Sequence, residues 1–289
     1  MRLVVFEKNK KRCLGLLEGT DIIDLAAAGI DAEADVSELL RRGGGAFTEI
    51  TGLSAERRSQ ARIPLSSVPL LPPSMRPAKV ICLGLNYISH ASEVGRSKKP
   101  DYPAVFFRTP SSFIGATADL VLPKVSAQLD WEGELVAFIG RSGRHIPRET
   151  ALSHVAGYSV FNDGSVRDYQ LRTSQWTVGK NFDGTGPFGP AFVSAEELPP
   201  GAAGLKIETR VNGQVMQSSD TGQMIFDVAE TITLLSQCFT LEAGDLLVMG
   251  TPSGVGNARD PKIFLKAGDV CEVEIERIGL LRNAVVEEV

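Results

Sequence analysis

Asp130-Trp131-Glu132-Gly133-Glu134-Leu135-Val136-Ala137-Phe138-Ile139-Gly140 is the most apolar strand-like run of the chain, and two glutamates one residue apart open it. In an extended strand, residues i and i+2 share a face and lie roughly 6 to 7 Å apart, so both carboxylates share one environment. Their face continues as Val136 and Phe138, while the opposite face reads Trp131, Gly133, Leu135, Ala137 and Ile139. A strand that is apolar on both faces belongs inside a sheet covered on both sides. Two ionised carboxylates entering such a place repel each other and lose hydration unless one is protonated or a positive partner neutralises them. An ion-paired or exposed strand end is the plain alternative. Val270-Cys271-Glu272-Val273-Glu274-Ile275-Glu276 repeats the acid spacing with strict alternation, so its acids read as a solvated strand face.

Outward from this run the chain reads as a β-rich α+β protein. Residues 1 to about 62 hold short strand-like pieces, a helix expected at Val36 to Arg42, and a Gly43-Gly44-Gly45 break. Pro64, Pro69, Pro72, Pro73 and Pro77 favour extended backbone and suggest a linker, which gives a small N-terminal α/β domain with its linker over 1–72 and a main domain over 73–289. Helices are expected over Arg148 to Val155 behind Pro147, over the amphipathic stretch Ser165 to Ser174, and over Asp227 to Gln237, where Asp227 and Glu230 have capping-box spacing. Gly244-Asp245 and Gly268-Asp269 are turns, each followed by a strand-like run. Gly254-x-Gly256 lacks the third glycine of a dinucleotide fingerprint and there is no Walker motif.

Composition narrows the function further. With 289 residues, 43% hydrophobic and 22% charged, the chain has a substantial core and an ordinary globular balance. A net charge of −5, with no basic run beyond Lys8 to Arg12, argues against a nucleic-acid surface. The start breaks into charge after four apolar residues, too early for a secretory core, and no segment is long and apolar enough to span a membrane. Cys13, Cys82, Cys238 and Cys271 are scattered without a Cys-x-x-Cys pair, so reduced thiols in a cytoplasmic protein are expected, with no zinc site.

Asp163, at the end of Val155 to Asn162, is a third acid at the tip of a buried-looking strand. Three carboxylates converging without Cys or spaced His suit a hard divalent ion, whose open positions could chelate and polarise a dicarbonyl or 2-oxo acid. A helix cap is the alternative for Asp163. His90 and Glu93, three apart, share one face of a helical turn, and a carboxylate beside an imidazole raises its basicity. A surface histidine is the plain alternative. Lys180 sits in a Gly- and Pro-rich loop where it could stabilise an enolate, or be merely a solvated lysine. Gly250-Thr251-Pro252-Ser253-Gly254 would place backbone amides and the Thr251 hydroxyl near a ligand anion, although a plain turn explains it equally.

In this order, Gly84-Leu85-Asn86-Tyr87 with His90 and Glu93, Glu132-x-Glu134, Gly157-Tyr158 through Asn162-Asp163 with Arg167-Asp168, Gly179-Lys180 and Gly250-Thr251-Pro252 resemble the fumarylacetoacetate hydrolase (FAH) family. The resemblance covers about residues 73 to 285 and is closest to bacterial fumarylpyruvate and acylpyruvate hydrolases. It implies an FAH-type mixed β-roll or sandwich, usually a homodimer, with Glu132, Glu134 and Asp163 holding Mg²⁺ or Mn²⁺ (Ca²⁺ taking that place in some crystals). It also implies His90 and Glu93 on a lid helix that activates water, Lys180 near the substrate oxygens, and Arg167, Gln170 and Thr251 as substrate contacts. Arg108 stands where many relatives have lysine, and its planar fork could grip a substrate carboxylate. Gly184 and Gly186 stand where relatives often hold bulkier residues, which suggests a more open pocket wall.

The expected activity is C–C hydrolysis of a 2,4-dioxo acid, of the kind met in aromatic catabolism, by water that His90 and Glu93 activate. The same site allows decarboxylation of oxaloacetate or keto–enol tautomerisation, and a non-catalytic oxo-acid or metal-binding protein is the alternative of another class.

Overall fold

The structure is a computed structural model that describes residues 1–93 and 100–289, with the side chains of 90–92 left out. Gly133–Ile139 is a strand buried at every position. It pairs antiparallel with Val155–Asn162 on one side and Leu246–Val248 on the other. Leu246–Val248 runs parallel to Val80–Gly84, and Ala104–Phe107 forms the edge beyond it. In the other direction Val155–Asn162 leads to Gly186–Ser194 and then to Arg2–Lys8, Lys11–Glu18, Asp21–Asp24 and Arg62–Pro64, within one mixed sheet of twelve strands.

The two faces of the central strand meet different partners, as its two-sided apolar pattern requires. Leu135, Ala137 and Ile139 join Ile207, Val273, Ile275 and Leu281 of a second, five-stranded sheet. Val136 and Phe138 join Phe161, Phe188, Phe192 and the N-terminal Leu3, Val5 and Leu39. Phe138 lies 5.9 Å from Phe188 in a stacked arrangement and 5.2 Å from Phe192 edge to face. Truncating such a ring costs about 3–5 kcal/mol. Gly133 separates the two glutamates because the second sheet presses on it: a Cβ there would stand 2.5 Å from Thr209 Oγ1 and 2.9 Å from Val273 Cγ1.

The expected helix Val36–Arg42 forms, capped by Asp35, which accepts from Ser37 N and Glu38 N. Asp35 also accepts from Met75 N and Arg76 N, so it ties the proline-rich stretch to the helix. Within that stretch Leu70–Leu71 pairs back along Arg2–Lys8. Arg2–Lys8 in turn pairs with Gly186–Ser194, so the sheet runs unbroken across the 72/73 position. Val228–Cys238 is helical, and its cap Asp227 accepts from Glu230 N. Arg148–Ala151 continues into a 3-10 turn, Leu152–His154.

The single helix expected over Ser165 to Ser174 does not form. Ser165–Val166 pair with Leu129–Asp130 instead, and only Arg167–Gln170 is helical. Arg167 N donates to Gln128 O and its side chain is anchored on Asp130, which fixes the turn at that point. The four cysteines are free thiols. Among the described residues no helix is long and apolar enough to cross a membrane.

Candidate active site

Pairing between Gly133–Ile139 and Val155–Asn162 puts Glu134 opposite Phe161 and brings the strand's opening to the end of its neighbour. Asn162 Oδ1 accepts from Glu132 N at 3.0 Å and Asp163 N donates to Glu132 O at 2.8 Å, so Asp163 is locked beside Glu132. Asp163 is not a helix cap, since the residue before helix Arg167–Gln170 is Val166. Glu132, Glu134 and Asp163 are 5%, 1% and 0% exposed, and one oxygen from each lies within 4.8 Å of the others.

Among the described residues three cations answer these acids. Lys180, at the end of the 3-10 helix Trp176–Lys180, is buried and donates to Glu132 Oε2 at 2.7 Å and Asp163 Oδ2 at 2.6 Å. It is no solvated loop lysine. Burial works against its ammonium, but the charges of Asp163 and Glu132 outweigh burial and raise it above its ordinary value. Arg167 Nη1 lies 2.6 Å from Glu132 Oε1, and its Nε donates to Asp130 Oδ2 at 2.8 Å. Arg108 Nη1 donates to Asp163 Oδ1 at 2.6 Å.

Counting Asp130, four buried carboxylates face three buried cations among the described residues. The strain falls on Glu134. Burial first, then the charges of Asp163 and Glu132, raise its carboxyl well above the ordinary value, against Lys180 and the Gly250 amide. All donors of the triad are carboxylate oxygens, the set a hard divalent cation takes, and such a cation would offset their mutual repulsion. The chemistry of the site therefore fits Mg²⁺ or Mn²⁺.

The triad opens on a cavity of about 260 Å³ that Glu132, Glu134, Arg167, Gln170, Lys180 and Thr251 share in lining. Gln170 Oε1 accepts from Arg167 Nη1 at 2.8 Å. Arg167 Nη2 is buried and has no hydrogen-bond partner among the described residues. Thr251 Oγ1 donates to Gly133 O and accepts from Gln217 Nε2. The Gly250 amide donates to Glu134 Oε2 at 2.6 Å, so it serves the triad instead of waiting for a ligand anion.

Two sequence expectations change. Arg108 does not line the cavity: its guanidinium is engaged by Asp163, Gly164 O, Thr185 Oγ1 and Ser112 Oγ and lies 5.2 Å from the Phe161 ring centroid. It holds Asp163 from behind, which leaves it no fork for a substrate carboxylate. Gly184 and Gly186 do not open the pocket wall either. A Cβ at Gly184 would meet Val121, and one at Gly186 would meet Arg108 Nη2.

Helix Ile88–Glu93 carries both residues of the expected pair. The side chain of His90 lies outside the described residues. Glu93 Oε1 accepts from Gly254 N at 3.0 Å, which ties this helix to the loop after Gly250. Asp130, which the sequence reading passed over, organises that loop. It accepts from Gly256 N, Asn257 N and Trp131 N while it also holds Arg167. Its signal was available, since Asp130, Glu132 and Glu134 form one alternating row of acids. Asn86, given no role in the sequence beyond its place in Gly84-Leu85-Asn86-Tyr87, cross-links Phe226 and Met249 beneath the helix start.

The family profile of the fumarylacetoacetate (FAA) hydrolase C-terminal domain matches residues 79–286. The chain belongs to the fumarylacetoacetate hydrolase family. Within the FAH family, an oxaloacetate tautomerase of mitochondria from Rattus norvegicus is 44% identical over 241 residues, covering 82% of this chain and 76% of that protein. The fumarylacetoacetate hydrolase of psychrophilic Exiguobacterium antarcticum superposes with a TM-score of 0.86 at 36% identity over the whole of both chains. The maleylpyruvate hydrolase of Sphingobium sp. SYK-6, solved with manganese(II) and pyruvate, does so with a TM-score of 0.82 at 28% identity, again over both whole chains.

Proposed function

We propose that this FAH-family protein is a divalent-metal-dependent enzyme that interconverts the keto and enol forms of a short 2-oxo diacid such as oxaloacetate. The observation that carries the reading is one small cavity lined both by members of the buried oxygen triad and by Arg167, whose buried Nη2 has no partner among the described residues. A diacid has one end to offer to each. Oxaloacetate tautomerases among the relatives support the same choice.

Glu132, Glu134 and Asp163 would hold Mg²⁺ or Mn²⁺, which supplies Lewis-acid polarisation of the 2-oxo group. Lys180, itself buried, presents an ammonium to the oxygen that gains charge as the enolate forms. Arg167 Nη2, steadied by Gln170 and Asp130, receives the far carboxylate. Tautomerisation removes a proton from C3 and delivers one to the C2 oxygen, and no carbon–carbon bond breaks. We assign the C3 proton to His90, oriented by Glu93. A second copy of this chain is the partner in this reading, supported by exposed Val105 and Phe107 on the edge strand beside the cavity.

Hydrolysis of an acylpyruvate is the second reading, supported by the maleylpyruvate hydrolase likeness. Product identity separates the readings. With Mg²⁺ or Mn²⁺ present, the enol absorbance of oxaloacetate should decay faster than in metal alone, and NMR should show the four-carbon skeleton retained. Acceleration that releases CO₂ and pyruvate would assign decarboxylation, and cleavage of acylpyruvates into two acids without effect on oxaloacetate would restore hydrolysis.

A further inference from the structure

We propose that Trp176 sets the length of substrate the site accepts, restricting it to 2-oxo acids with a short tail and excluding aryl or long acyl groups. This rests on the 2-oxo acid reading above. Trp176 and Lys180 begin and end the same 3-10 helix, Trp176–Lys180, and both line the cavity. Asn181 fixes the end of that helix, donating from Nδ2 to Thr177 O and to Phe107 O and accepting from Thr109 N.

The indole is wedged. A Cβ on Gly84 would stand 2.2 Å from Trp176 Cζ3, so the ring lies against the bare backbone at the end of strand Val80–Gly84. From another direction Phe106 meets it edge to face, with centroids 5.7 Å apart. The Phe106 ring also sits 5.1 Å from Lys180 Nζ. One aromatic ring thus separates the ammonium at the reacting end from the indole wall. Gly84, Phe106 and Trp176 all face the same cavity, whose volume of about 260 Å³ lies below the ~300–1,000 Å³ usual for larger ligands. Close-packed neighbours leave the indole no low-cost retreat toward Gly84.

The test compares kcat/KM for the enols of oxaloacetate and phenylpyruvate, a 2-oxo acid with a bulky aryl tail, with Mg²⁺ present. The wild type should favour oxaloacetate by about 100-fold or more, and Trp176→Ala should narrow that ratio by about tenfold or more. Trp176→Phe and Trp176→Leu should give graded intermediates, so the trend is readable even if the alanine variant does not fold. Gly84→Ala should lower kcat/KM for oxaloacetate by displacing the ring, and this loss should vanish in the Trp176→Ala background, a coupling expected only of residues in contact. A merely structural tryptophan would lower both substrates together and leave the ratio unchanged, which overturns the proposal. If the wild type converts neither enol, the tautomerase reading fails by itself. The size limit is then decided by thermal shift with Mg²⁺: oxalate should stabilise wild type and variants alike, and phenylpyruvate only the variants. Equal stabilisation of the wild type by phenylpyruvate overturns it.

Discussion

Glu132 and Glu134 at the start of strand Gly133–Ile139, and Glu272 and Glu274 on strand Val270–Ile275, have the same spacing and opposite surroundings. The first pair is buried, with Lys180 and Arg167 on Glu132 and the Gly250 amide on Glu134. The second pair shares Arg210, at 3.1 Å from Glu272 and 2.9 Å from Glu274, with the Glu274 side chain 49% exposed. Arg282 also reaches Glu272, at 3.3 Å, so water and surface arginines suffice there. In the first pair burial and the charges of Asp163 and Glu132 push the Glu134 carboxyl well above its ordinary value, and this difference marks one pair as a site and the other as a solvated strand face.

Substitutions can break or sharpen that contrast. The largest effect is expected for Lys180→Met, which leaves Glu132 and Asp163 facing each other without their shared cation. Removing one partner of a buried ion pair costs about 3–5 kcal/mol. Urea unfolding without divalent metal should show this loss, and Mg²⁺ should recover more stability in the variant than in the wild type. An unchanged midpoint would mean that Lys180 does not balance the triad.

Glu134→Gln should lower turnover by at least about 100-fold and weaken the stabilisation by Mg²⁺ or Mn²⁺. The same change removes the carboxyl that burial and like charges disfavour, so the metal-free melting temperature should hold or rise. A fall in metal-free stability together with full activity would reverse the contrast between the pairs. Asp130→Asn should reduce turnover by about 10–100-fold, because it loosens Arg167 and the loop that receives Glu93. The readout that separates this from general damage is a larger change in KM for oxaloacetate than in the inhibition constant of oxalate, which has no far carboxylate for Arg167.

The smallest effect belongs to the other strand. Glu272→Gln should change stability by no more than about 0.5 kcal/mol and leave turnover unchanged, with any difference screened by added salt. A larger loss would show that spacing, not environment, sets the cost of an acid pair.

Local pattern made much of this legible. Helix Val36–Arg42 with its Asp35 cap, the Asp227 cap of Val228–Cys238 and the two Gly-Asp turns before strands each follow from residues close in sequence. The apolar flanks of Glu132 and Glu134 announced their burial for the same reason. Expectations changed where a side chain's partner is distant. Lys180 looked like a loop lysine, yet it reaches Glu132 across 48 residues. Arg108 looked free for a substrate, yet it meets Asp163 across 55. The stretch from Ser165 has helical periodicity, but its first two residues pair with Leu129–Asp130.

The sequence by itself determined that a β-rich chain carries an oxygen-rich acid row inside an apolar strand, because alternation and hydrophobicity act between neighbours in the chain. Only the tertiary structure decided which cations answer those acids, that Arg167 keeps one donor unpartnered among the described residues, and that Trp176 stands one ring from Lys180. Those facts depend on strands and turns far apart in sequence being pressed into one volume, where the cost of an unpaired charge and the lack of room for a Cβ are settled by neighbours that no local pattern names.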